Sequence, residues 1–391
     1  VVVAAGRGRP GPAVPACDLV VDAAYGTGFR GDYRAPTVPA GAVVVAVDIP
    51  SGVDGDTGQA SEEAVRADHT VTFAALKPGL LLGEGPERSG TVEVADIGLD
   101  VSQARAHVVE DADVARLLPT RPREAHKWQS ALYVVAGSPG MMGSARMCSR
   151  AAMRAGAGMV RLGVPGAGPR DLPAGEVVAR GLPEEGWEAE VLPELERCRA
   201  LVVGPGLGRS EGAAAAVRRL VARSPVPVLV DADGLNVLGP AGAVADLVAG
   251  REGHGCHQPV LLTPHAGEYA RLAGEPPAPD RLAAARSLST RTGAHVLLKG
   301  STTVVAGPDG SVLVSLTGSS RLASAGTGDV LSGVIGAFMA QGLDALPAAG
   351  LGAHAHGRAA SLGRPRGLVA GDLVDLVSRF LSGLPAGAPG P

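Results

Sequence analysis

Short runs of aliphatic and β-branched residues recur along the chain, and glycine-rich turns and alanine-rich stretches separate them. Most runs are apolar throughout, which is typical of strands buried on both faces of a parallel sheet. The predicted strands include residues 19–21, 43–47, 132–135, 201–203, 226–230, 260–262 and 296–298. Helices are predicted between them, among others at residues 212–223, 281–292 and 328–341. This alternation of strand and helix predicts an α/β fold.

The length of 391 residues and a change in local composition predict two domains, at residues 1–105 and 106–385. Residues 111–118 predict a short helix after the boundary, and the segment 119–124 is polar and proline-rich, which is typical of a linker. The chain begins with three valines, at residues 1–3, and shows no initiating methionine or secretory signal. We interpret these valines as a strand inside a domain, so we expect the first domain to be incomplete at its N-terminus.

Composition narrows the classes of function. Apolar residues make up 46% of the chain and charged residues 19%, so a packed core is expected and a disordered chain is excluded. Aromatic residues make up 3%, and the net charge is −4, which disfavours a nucleic-acid partner. No apolar run approaches the roughly 18 residues of a membrane span, which disfavours a membrane partner. The four cysteines are far apart, so neither disulfides nor a zinc ribbon are predicted, and a cytoplasmic location is expected.

A glycine-rich turn at residues 323–333 gives the sharpest chemical signal. Gly326 and Gly328 precede a predicted helix, whose first backbone N–H groups and dipole favour a phosphate. Asp329 is a poor neighbour for phosphate by charge, but it suits a base that takes the proton of a substrate hydroxyl during phosphoryl transfer. The alternative is an ordinary glycine-rich turn in which Asp329 is the helix N-cap.

Lys299 ends another predicted buried strand, and small polar residues follow it. Its ammonium group can neutralise a nucleotide phosphate, while Ser301, Thr302 and Thr303 add hydrogen-bond donors. The alternative is a solvated lysine at the end of a strand.

Further strand ends carry polar side chains, as expected of ligand sites in open α/β sheets. His265 can hydrogen-bond a polar substrate and Glu268 can orient it, although a structural histidine is the alternative. The glycines of residues 204–208 permit close approach of a ligand. The carboxylates of Asp231 and Asp233 can hold Mg²⁺ through water.

Other histidines are interpreted as structural. Residues 254–257 contain two histidines and a cysteine but have no fourth metal ligand nearby, which disfavours a metal site. His354 and His356 are two residues apart on a predicted helix, so they point to different faces. We expect them at the surface or in contacts between helices.

In the first domain, Asp22 and Asp48 each follow a predicted strand and precede a glycine-containing turn. Two adjacent strand ends would bring Asp22, Asp48 and Ser51 together. Their oxygen atoms suit a hard cation, and the turn at residues 26–32 can cradle a phosphate.

Together these motifs resemble the bifunctional NAD(P)H-hydrate repair enzymes. In that family an NAD(P)HX epimerase domain of the YjeF N-terminal type precedes an ADP-dependent (S)-NAD(P)H-hydrate dehydratase domain. The dehydratase matches are residues 126–127, 137–141, 154–158, 204–208, 231–235, 263–268, 299–303 and 325–333. The epimerase matches are residues 22–28, 48–52, 77–79 and 96–98. The resemblance implies a Rossmann-like N-terminal α/β segment followed by a ribokinase-like α/β domain.

For the dehydratase, the resemblance implies that Asp329 takes the proton of the C6 hydroxyl of the hydrate, which attacks the terminal phosphate of ADP. Loss of the phosphorylated hydroxyl restores the dihydronicotinamide and yields AMP and phosphate, and Mg²⁺ is expected with the nucleotide. The implied ADP contacts are Lys299, Gly300, Ser301, Thr302, Thr303 and Gly328. The implied contacts of the hydrated nicotinamide are Ala145, Gly208, His265 and Asp329.

For the epimerase, the resemblance implies an acid/base role for Asp48 and K⁺ ligands at Asp22 and Ser51. The implied NAD(P)HX contacts are Gly26, Thr27, Gly28, Phe29, Arg30, Gly31, Asp32 and Asp48. The family's Asn-Asn-Gly-Gly-Asp-Gly loop does not occur in this sequence, so impaired epimerase activity is expected. Two smaller departures, Trp128 and Arg321, lie near the expected substrate loops.

The expected partners are the small molecules NADHX and NADPHX, and further copies of the chain in a homo-oligomer. A ribokinase-like kinase of a vitamin precursor is the alternative function, because it would share Asp329 and the glycine turn. A non-catalytic nucleotide-binding protein is a third. His265, Glu268 and the attached first domain favour the dehydratase.

Overall fold

The computed structural model describes residues 13–385, and the chain divides into two compact units. The first unit contains the described residues up to 104 together with residues 278–284, and the second contains the other described residues. The strand predicted at residues 1–3 lies outside the described residues. Within residues 13–385, no helix has the length and apolar character needed to cross a membrane.

The first unit is built on a parallel sheet, whose strand order in the described residues is β1-β2-β3-β4. The strands are β1 (Leu19–Asp22), β2 (Val43–Val47), β3 (His69–Phe73) and β4 (Thr91–Ala95). Two short helices, α1 (Pro78–Leu81) and α2 (Gly85–Ser89), lie between β3 and β4 in the chain. Because these strands run in the same direction, Asp22 and the turn after β2 lie at the same edge of the sheet.

The second unit is built on a larger sheet, whose described strands follow the order β5-β14-β13-β12-β11-β10-β9-β6-β7-β8. The strands are β5 (Ala106–Val108), β6 (Ala131–Val135), β7 (Met159–Pro165), β8 (Val178–Leu182), β9 (Ala200–Val203), β10 (Val228–Val230), β11 (Val260–Leu262), β12 (His295–Leu298), β13 (Thr303–Ala306) and β14 (Val312–Ser315). Neighbouring strands are parallel, except that β13 runs antiparallel to both β12 and β14.

Helices α3 to α13 follow α1 and α2 in the described part of the chain. They are α3 (Asp111–Leu117), α4 (Met142–Arg154), α5 (Glu188–Leu195), α6 (Glu211–Arg223), α7 (Asp233–Leu238), α8 (Ala241–Gly250), α9 (Ala266–Ala273), α10 (Arg281–Thr292), α11 (Thr327–Ala340), α12 (Ala345–Ser361) and α13 (Ala370–Ser382). The predicted α/β fold is confirmed, and the helix predicted at residues 281–292 has the predicted bounds.

Both faces of the larger sheet are covered, which explains its uniformly apolar strands. Leu132 and Val134 of β6 belong to a core that they share with residues of α4, α11, α12 and α13. Tyr133 and Val135 point to the opposite face, because successive strand side chains alternate, and they are also fully buried. A strand that is buried on both sides has no solvent-facing positions, so apolar and polar residues do not alternate along it.

Two glycines allow α11 to lie close to α4 and the sheet. A Cβ atom at Gly333 would lie 2.1 Å from the carbonyl oxygen of Cys148, and one at Gly336 would lie 2.4 Å from a methyl carbon of Val202. Neither distance leaves room for a side chain, since interiors are close-packed. This packing holds α11 in place, and with it Asp329 in its first turn.

Three details correct the sequence-based expectations. β10 begins at Val228 and not at residue 226, since Pro227 has no N–H to donate to a sheet. Residues 119–124 lie inside the second unit and therefore do not link the two units. His354 and His356 are both buried and make contacts between helices, so a surface position is wrong for them.

Asp111, at the start of α3, is held by two side chains of α12. The guanidinium group of Arg358 binds it in a bidentate manner, with N–O distances of 2.9 and 2.7 Å, and Nε2 of His354 lies 2.7 Å from Oδ1. The hydrogen bonds from Arg358 are the main reason why the pKa of Asp111 is lowered. A lowered pKa in the folded state contributes stability above the ordinary Asp pKa of about 3.9 and loses it as the pH falls through the folded value.

Asp111→Asn is therefore expected to lower the thermal unfolding midpoint at pH 7, and the difference from the parent should shrink as the pH falls below about 4. Thermal melts at pH 7 and at decreasing pH measure this. Asp375→Asn is the matched control, because it removes an exposed ion pair with Arg154. A difference for Asp111→Asn that stays constant with pH would contradict the prediction.

Candidate active sites

The carboxyl ends of β9, β10, β11 and β12 meet at one edge of the larger sheet, because these strands are parallel neighbours. The turns after them carry Gly208, Asp231, His265 and Lys299. A hydrogen bond from the backbone N–H of Lys299 to the carbonyl of Pro264 (2.9 Å) joins two of these turns. The structure therefore brings together predicted site residues that are far apart in sequence.

Asp329 lies in the first turn of α11, next to these strand ends. The helix begins at Thr327 with Gly326 as its N-cap, so the interpretation of Asp329 as the N-cap is wrong. Gly326 has a φ of 90°, a left-handed conformation that favours glycine. Burial and then the charge of Asp231 raise the pKa of Asp329, although a hydrogen bond from the Ser144 hydroxyl and the charge of Lys299 oppose this. A base of raised pKa is suited to accept a proton from a hydroxyl.

Lys299 forms an ion pair with Asp231. Its Nζ lies 2.5 Å from Oδ1 of Asp231, and the exposed fractions of the two side chains are 19% and 1%. Nζ also lies beside the first turn of α11, since a Cβ atom at Gly328 would be 3.7 Å away. A fully solvated lysine is therefore the wrong interpretation. The ammonium group and the first N–H groups of α11 border the same space, which suits an anion.

The carboxylates of Asp231 and Asp233 are already occupied by protein donors. Oδ2 of Asp231 accepts a hydrogen bond of 2.5 Å from the hydroxyl of Ser332. Asp233 accepts hydrogen bonds from the N–H of Gly208 (3.1 Å) and from Nε of Arg209 (2.8 Å). This geometry argues against the prediction that these carboxylates hold Mg²⁺ through water.

His265 is the N-cap of α9, so part of its role is structural. Nδ1 accepts the N–H groups of Gly267 (3.0 Å) and Glu268 (3.3 Å), and Glu268 in turn accepts the N–H of His265 (2.9 Å). A neutral ring must then carry its proton on Nε2, because Nδ1 is an acceptor. The side chain is 55% exposed, so a ligand can reach it. Burial raises the pKa of Glu268.

The predicted ADP contacts after Lys299 form the turn between β12 and β13. Gly300 and Ser301 are exposed, whereas Thr302 is buried and Thr303 is half-buried. A Cβ atom at Gly318 would lie 2.2 Å from the carbonyl oxygen of Ser301, so a second backbone segment supports this turn closely. The exposed residues leave backbone N–H groups and a hydroxyl accessible to a ligand.

Other residues around the site were missed by the sequence analysis. Ser144 on α4 contacts Asp329, whereas its predicted neighbour Ala145 is fully buried and offers no accessible surface. Nε2 of His356 lies 2.9 Å from the carbonyl oxygen of Thr327, at the start of α11. Burial lowers the pKa of His356 to about 4, so the ring is neutral and donates this hydrogen bond. No sequence signal pointed to Ser144.

In the first unit, Asp22 and Ser51 lie together as predicted. The Ser51 hydroxyl donates to Oδ1 of Asp22 (2.6 Å), and the Ser51 N–H donates to Oδ2 (2.7 Å). The carbonyl oxygen of Tyr25 lies 3.3 Å from the Ser51 hydroxyl. The carboxylate, the hydroxyl and the carbonyl all present oxygen atoms, the type of ligand that hard cations prefer.

Asp48 has a different partner. Nζ of Lys77 lies 2.6 Å from Oδ1 of Asp48, and the same ammonium group donates to the hydroxyl of Thr72 (3.0 Å) and the carbonyl of Phe73 (2.7 Å). Asp48 also has a φ of 70°, which is uncommon for a residue other than glycine. Such strain is concentrated at functional sites. Lys77 was not predicted as a site residue, although it belongs to one of the matched motifs.

The predicted substrate turn of the first unit lies beside Asp48. A Cβ atom at Gly26 would be 3.7 Å from Oδ2 of Asp48, and the turn residues are exposed except for Phe29. The ring of Phe29 packs against Tyr25 and Tyr33, so only its backbone can face a ligand. Arg30 pairs with Asp56 at 2.5 Å.

No cluster of three or more His, Cys, Asp or Glu side chains that could hold a metal ion is found in the described part of the chain. The two departures from the expected family pattern have structural partners. Arg197 lies over the ring of Trp128, 3.9 Å from its centroid. Arg321 donates to the carbonyls of Ala360, Ser361 and Gly363 at the end of α12.

Two family models match separate parts of the chain. Residues 132–380 match the family model described as NAD(P)H-hydrate dehydratase, and residues 5–79 match the model of the YjeF-related protein N-terminus. The bifunctional NAD(P)H-hydrate repair enzyme Nnr of Salinibacter ruber is 41% identical over 396 residues, which cover 92% of this chain and 71% of the relative. The enzyme of the same name from Mycobacterium tuberculosis is 44% identical over 338 residues, which cover 84% of this chain and 66% of the relative.

Solved structures resemble a large part of this chain. An ADP/ATP-dependent NAD(P)H-hydrate dehydratase from Bacillus subtilis, co-crystallised with ATP and Mg²⁺, has a TM-score of 0.54 and 27% identity, with 69% of this chain and 95% of that chain covered. A ribokinase-like superfamily protein from Enterococcus faecalis has a TM-score of 0.60 and 18% identity, with 74% and 99% covered. The second likeness supports the fold alone.

Proposed function

The chain belongs to the bifunctional NAD(P)H-hydrate repair enzymes, and from this premise we propose that its second unit dehydrates (6S)-NADHX and (6S)-NADPHX with ADP as phosphoryl donor. The observation that carries the proposal is the meeting of Asp329, Lys299 and the first turn of α11 at the ends of the parallel strands. A base, a cation and free backbone N–H groups at one place are what phosphoryl transfer to a hydroxyl needs.

In the proposed reaction, Asp329 takes the proton of the C6 hydroxyl of the hydrate. The hydroxyl oxygen bonds to the terminal phosphorus of ADP while the bond from that phosphorus to the bridging oxygen breaks, and AMP leaves. The phosphate group then leaves C6 as a proton leaves C5, which restores the double bond of the dihydronicotinamide. Phosphorylation thus converts hydroxide, a poor leaving group, into phosphate.

The chain's own contribution to charge stabilisation comes from Lys299 and from the N–H groups at Gly328 and Asp329, which lack partners inside the helix. Mg²⁺ bound to the nucleotide would offset phosphate charge near the surrounding carboxylates. The described residues contain no ligand cluster for a metal, which fits an ion that arrives on the phosphates and keeps water ligands. We assign the nucleotide to residues 299–303 and Gly328, and the hydrated nicotinamide to Gly208, His265 and Asp329.

For the first unit we propose the epimerase site. Asp48 is the acid/base residue, the turn at residues 26–32 binds NAD(P)HX, and Asp22 and Ser51 are K⁺ ligands. The convergence of a carboxylate, a hydroxyl and the carbonyl of Tyr25 fits K⁺, because all of these donors are oxygen atoms. The pairing of Asp48 with Lys77 and its strained backbone support the assignment of Asp48.

A direct activity assay tests the dehydratase proposal. The full chain is mixed with (6S)-NADHX and Mg²⁺, with ADP, with ATP or without nucleotide, and the dihydronicotinamide absorbance is followed while AMP and phosphate are measured. We expect NADH, AMP and phosphate in equal amounts with ADP. Absence of nucleotide-dependent NADH formation by a folded, ADP-binding protein would overturn the proposal. Phosphorylation of a hydroxymethylpyrimidine by ATP would instead indicate the kinase alternative, which the family membership does not favour.

The epimerase proposal is tested by conversion of (6R)-NADHX to (6S)-NADHX with KCl or with NaCl, beyond the spontaneous rate. We expect conversion to be faster with KCl than with NaCl. Equal rates with the two salts would count against Asp22 and Ser51 as K⁺ ligands. The homo-oligomer also stays a prediction, which light scattering of the full chain would test.

A further inference from the structure

We propose that Asp231 is a positioning residue, which holds the Lys299 ammonium group at the nucleotide site beside the first turn of α11. The inference rests on the proposed function. Family membership assigns no role to Asp231, and the sequence suggested a magnesium ligand instead. The geometry points to a different role, because Asp231 contacts Lys299 after β12 and Ser332 on α11, and is only 1% exposed.

Burial makes it energetically costly for the Asp231 carboxylate to move away from its partners. The residue is 1% exposed, so its charge depends on the two partners at 2.5 Å, Lys299 and Ser332. Ser332 lies one turn after Asp329 on the same helix, so Asp231 joins three elements that border the site. If Lys299 adopted a different rotamer, this buried carboxylate would lose its ammonium partner.

The backbone around Asp231 is strained and tightly packed. Ala232 has a φ of 51°, in the left-handed region that few residues other than glycine adopt. This turn directs two successive carboxylates to different partners, Asp231 to Lys299 and Asp233 to Gly208 and Arg209. A Cβ atom at Gly204 would lie 1.9 Å from the carbonyl oxygen of Asp231, so the neighbouring turn packs closely against this backbone. Such strain persists only where the surroundings enforce it.

The position of Asp231 also bears on Asp329. The groups that face Asp329 come from every element around it, namely Ser144 and Cys148 of α4, Asp231 and Asp233 of the β10–α7 turn, Lys299 after β12, and His356 behind Thr327. After burial, the charge of Asp231 is a cause of the raised pKa of Asp329, whereas Lys299 opposes it. Removing the charge of Asp231 therefore favours the ionised form of Asp329.

The test is Asp231→Asn in the full chain, with ADP affinity measured by calorimetry and the pH profile of kcat/KM for NADHX. Asparagine keeps the shape but removes the charge that holds Lys299. We expect ADP binding to weaken by about tenfold, as loss of one charge-assisted contact implies, and the acid limb of the profile to move to lower pH. If Asp231 were only a negative charge near the phosphates and did not position Lys299, its removal would instead tighten ADP binding. Equal or tighter binding of ADP would overturn the proposal.

A further variant keeps the test decisive. Ser332→Ala removes one of the two contacts that hold the Asp231 carboxylate but leaves its charge, so the acid limb is expected to stay in place. This variant decides the question if Asp231→Asn does not fold. We expect Ser332→Ala to weaken ADP binding severalfold, and unchanged ADP binding would count against positioning. Because calorimetry needs no turnover, a failure of the proposed dehydratase activity is distinguishable from a failure of this inference.

Discussion

Asp329→Asn is expected to lower the rate of NADHX dehydration by about 10²–10⁴-fold while the protein still folds and binds ADP. Asparagine has the same shape as aspartate and can still accept the hydrogen bond of the Ser144 hydroxyl, but it cannot take up the proton of the C6 hydroxyl. ADP is expected to bind at least as tightly as to the parent, since one negative charge beside the phosphates is removed.

The structure makes the effect of this substitution easier to interpret than the sequence alone did. Gly326, and not Asp329, is the N-cap of α11, so the variant removes no capping group. Asp329 does lie in the first helical turn, but its raised pKa means that the folded protein disfavours its charge, so the variant is not expected to lose stability at neutral pH. Ser144→Ala is the matched control, because it removes the partner of the carboxylate and leaves the base itself. Circular dichroism and calorimetry verify folding and ADP binding, and near-parental turnover by Asp329→Asn would remove Asp329 from the mechanism.

The pH profile offers an independent measurement for Asp329. Its raised pKa in the folded protein means that the carboxylate is protonated over a wider acidic range than an ordinary aspartate. If ionised Asp329 is the base, kcat/KM should fall as the pH drops through this raised value, above the ordinary Asp pKa of about 3.9. A profile that is flat down to that ordinary value would contradict the assignment.

The sequence predicted the larger features of the site because they depend on local patterns. A buried strand followed by a polar or glycine-rich turn is visible at Lys299, His265 and Asp231, and parallel strands place such turns at one edge. The same reasoning located the pairing of Asp22 with Ser51. Uniformly apolar strands predicted a sheet covered on both faces, as Leu132 and Tyr133 illustrate.

The partners of these residues could not be predicted, because contacts between distant segments have no local signal. The sequence left two alternatives for Lys299, a solvated position or a phosphate contact, and only the fold shows that it pairs with Asp231. The sequence predicted Asp48 beside Asp22, and it gave no sign that Lys77, beyond β3, would be the ammonium partner of Asp48. Ala145 illustrates the opposite case, since a motif match placed it in the site and packing buries it completely.

The same limits apply to His265, for which the sequence left a structural and a functional role as alternatives. The fold combines both, because Nδ1 caps α9 while Nε2 lies 3.5 Å from Oε1 of Glu268 on a side chain that is 55% exposed. Capping fixes the ring orientation and the position of its proton, as a second hydrogen bond does for many functional histidines. A structural contact of a histidine is therefore no argument against a ligand contact on its other nitrogen.

Lys299→Ala is expected to destabilise the second unit by about 3–5 kcal/mol, in addition to weakening ADP binding. The reason is Asp231, whose buried carboxylate would keep the hydroxyl of Ser332 but lose its only ammonium partner among the described residues at hydrogen-bond distance. Urea unfolding, followed by a probe in the second unit, measures the loss. ADP affinity should be measured well below the unfolding midpoint, so that the two effects are separated.

A double-variant cycle then decides whether the ion pair is the cause. In Asp231→Asn/Lys299→Ala no buried charge is left unpaired, so stability is expected to recover relative to Lys299→Ala, while ADP binding stays weak because the ammonium group is absent. Lys299→Arg keeps the charge but presents a larger, planar donor, and it is expected to retain more stability than ADP affinity. If Lys299→Ala left both stability and ADP affinity unchanged, Lys299 would be a solvated lysine at a strand end, and neither the ion pair nor the nucleotide contact would stand.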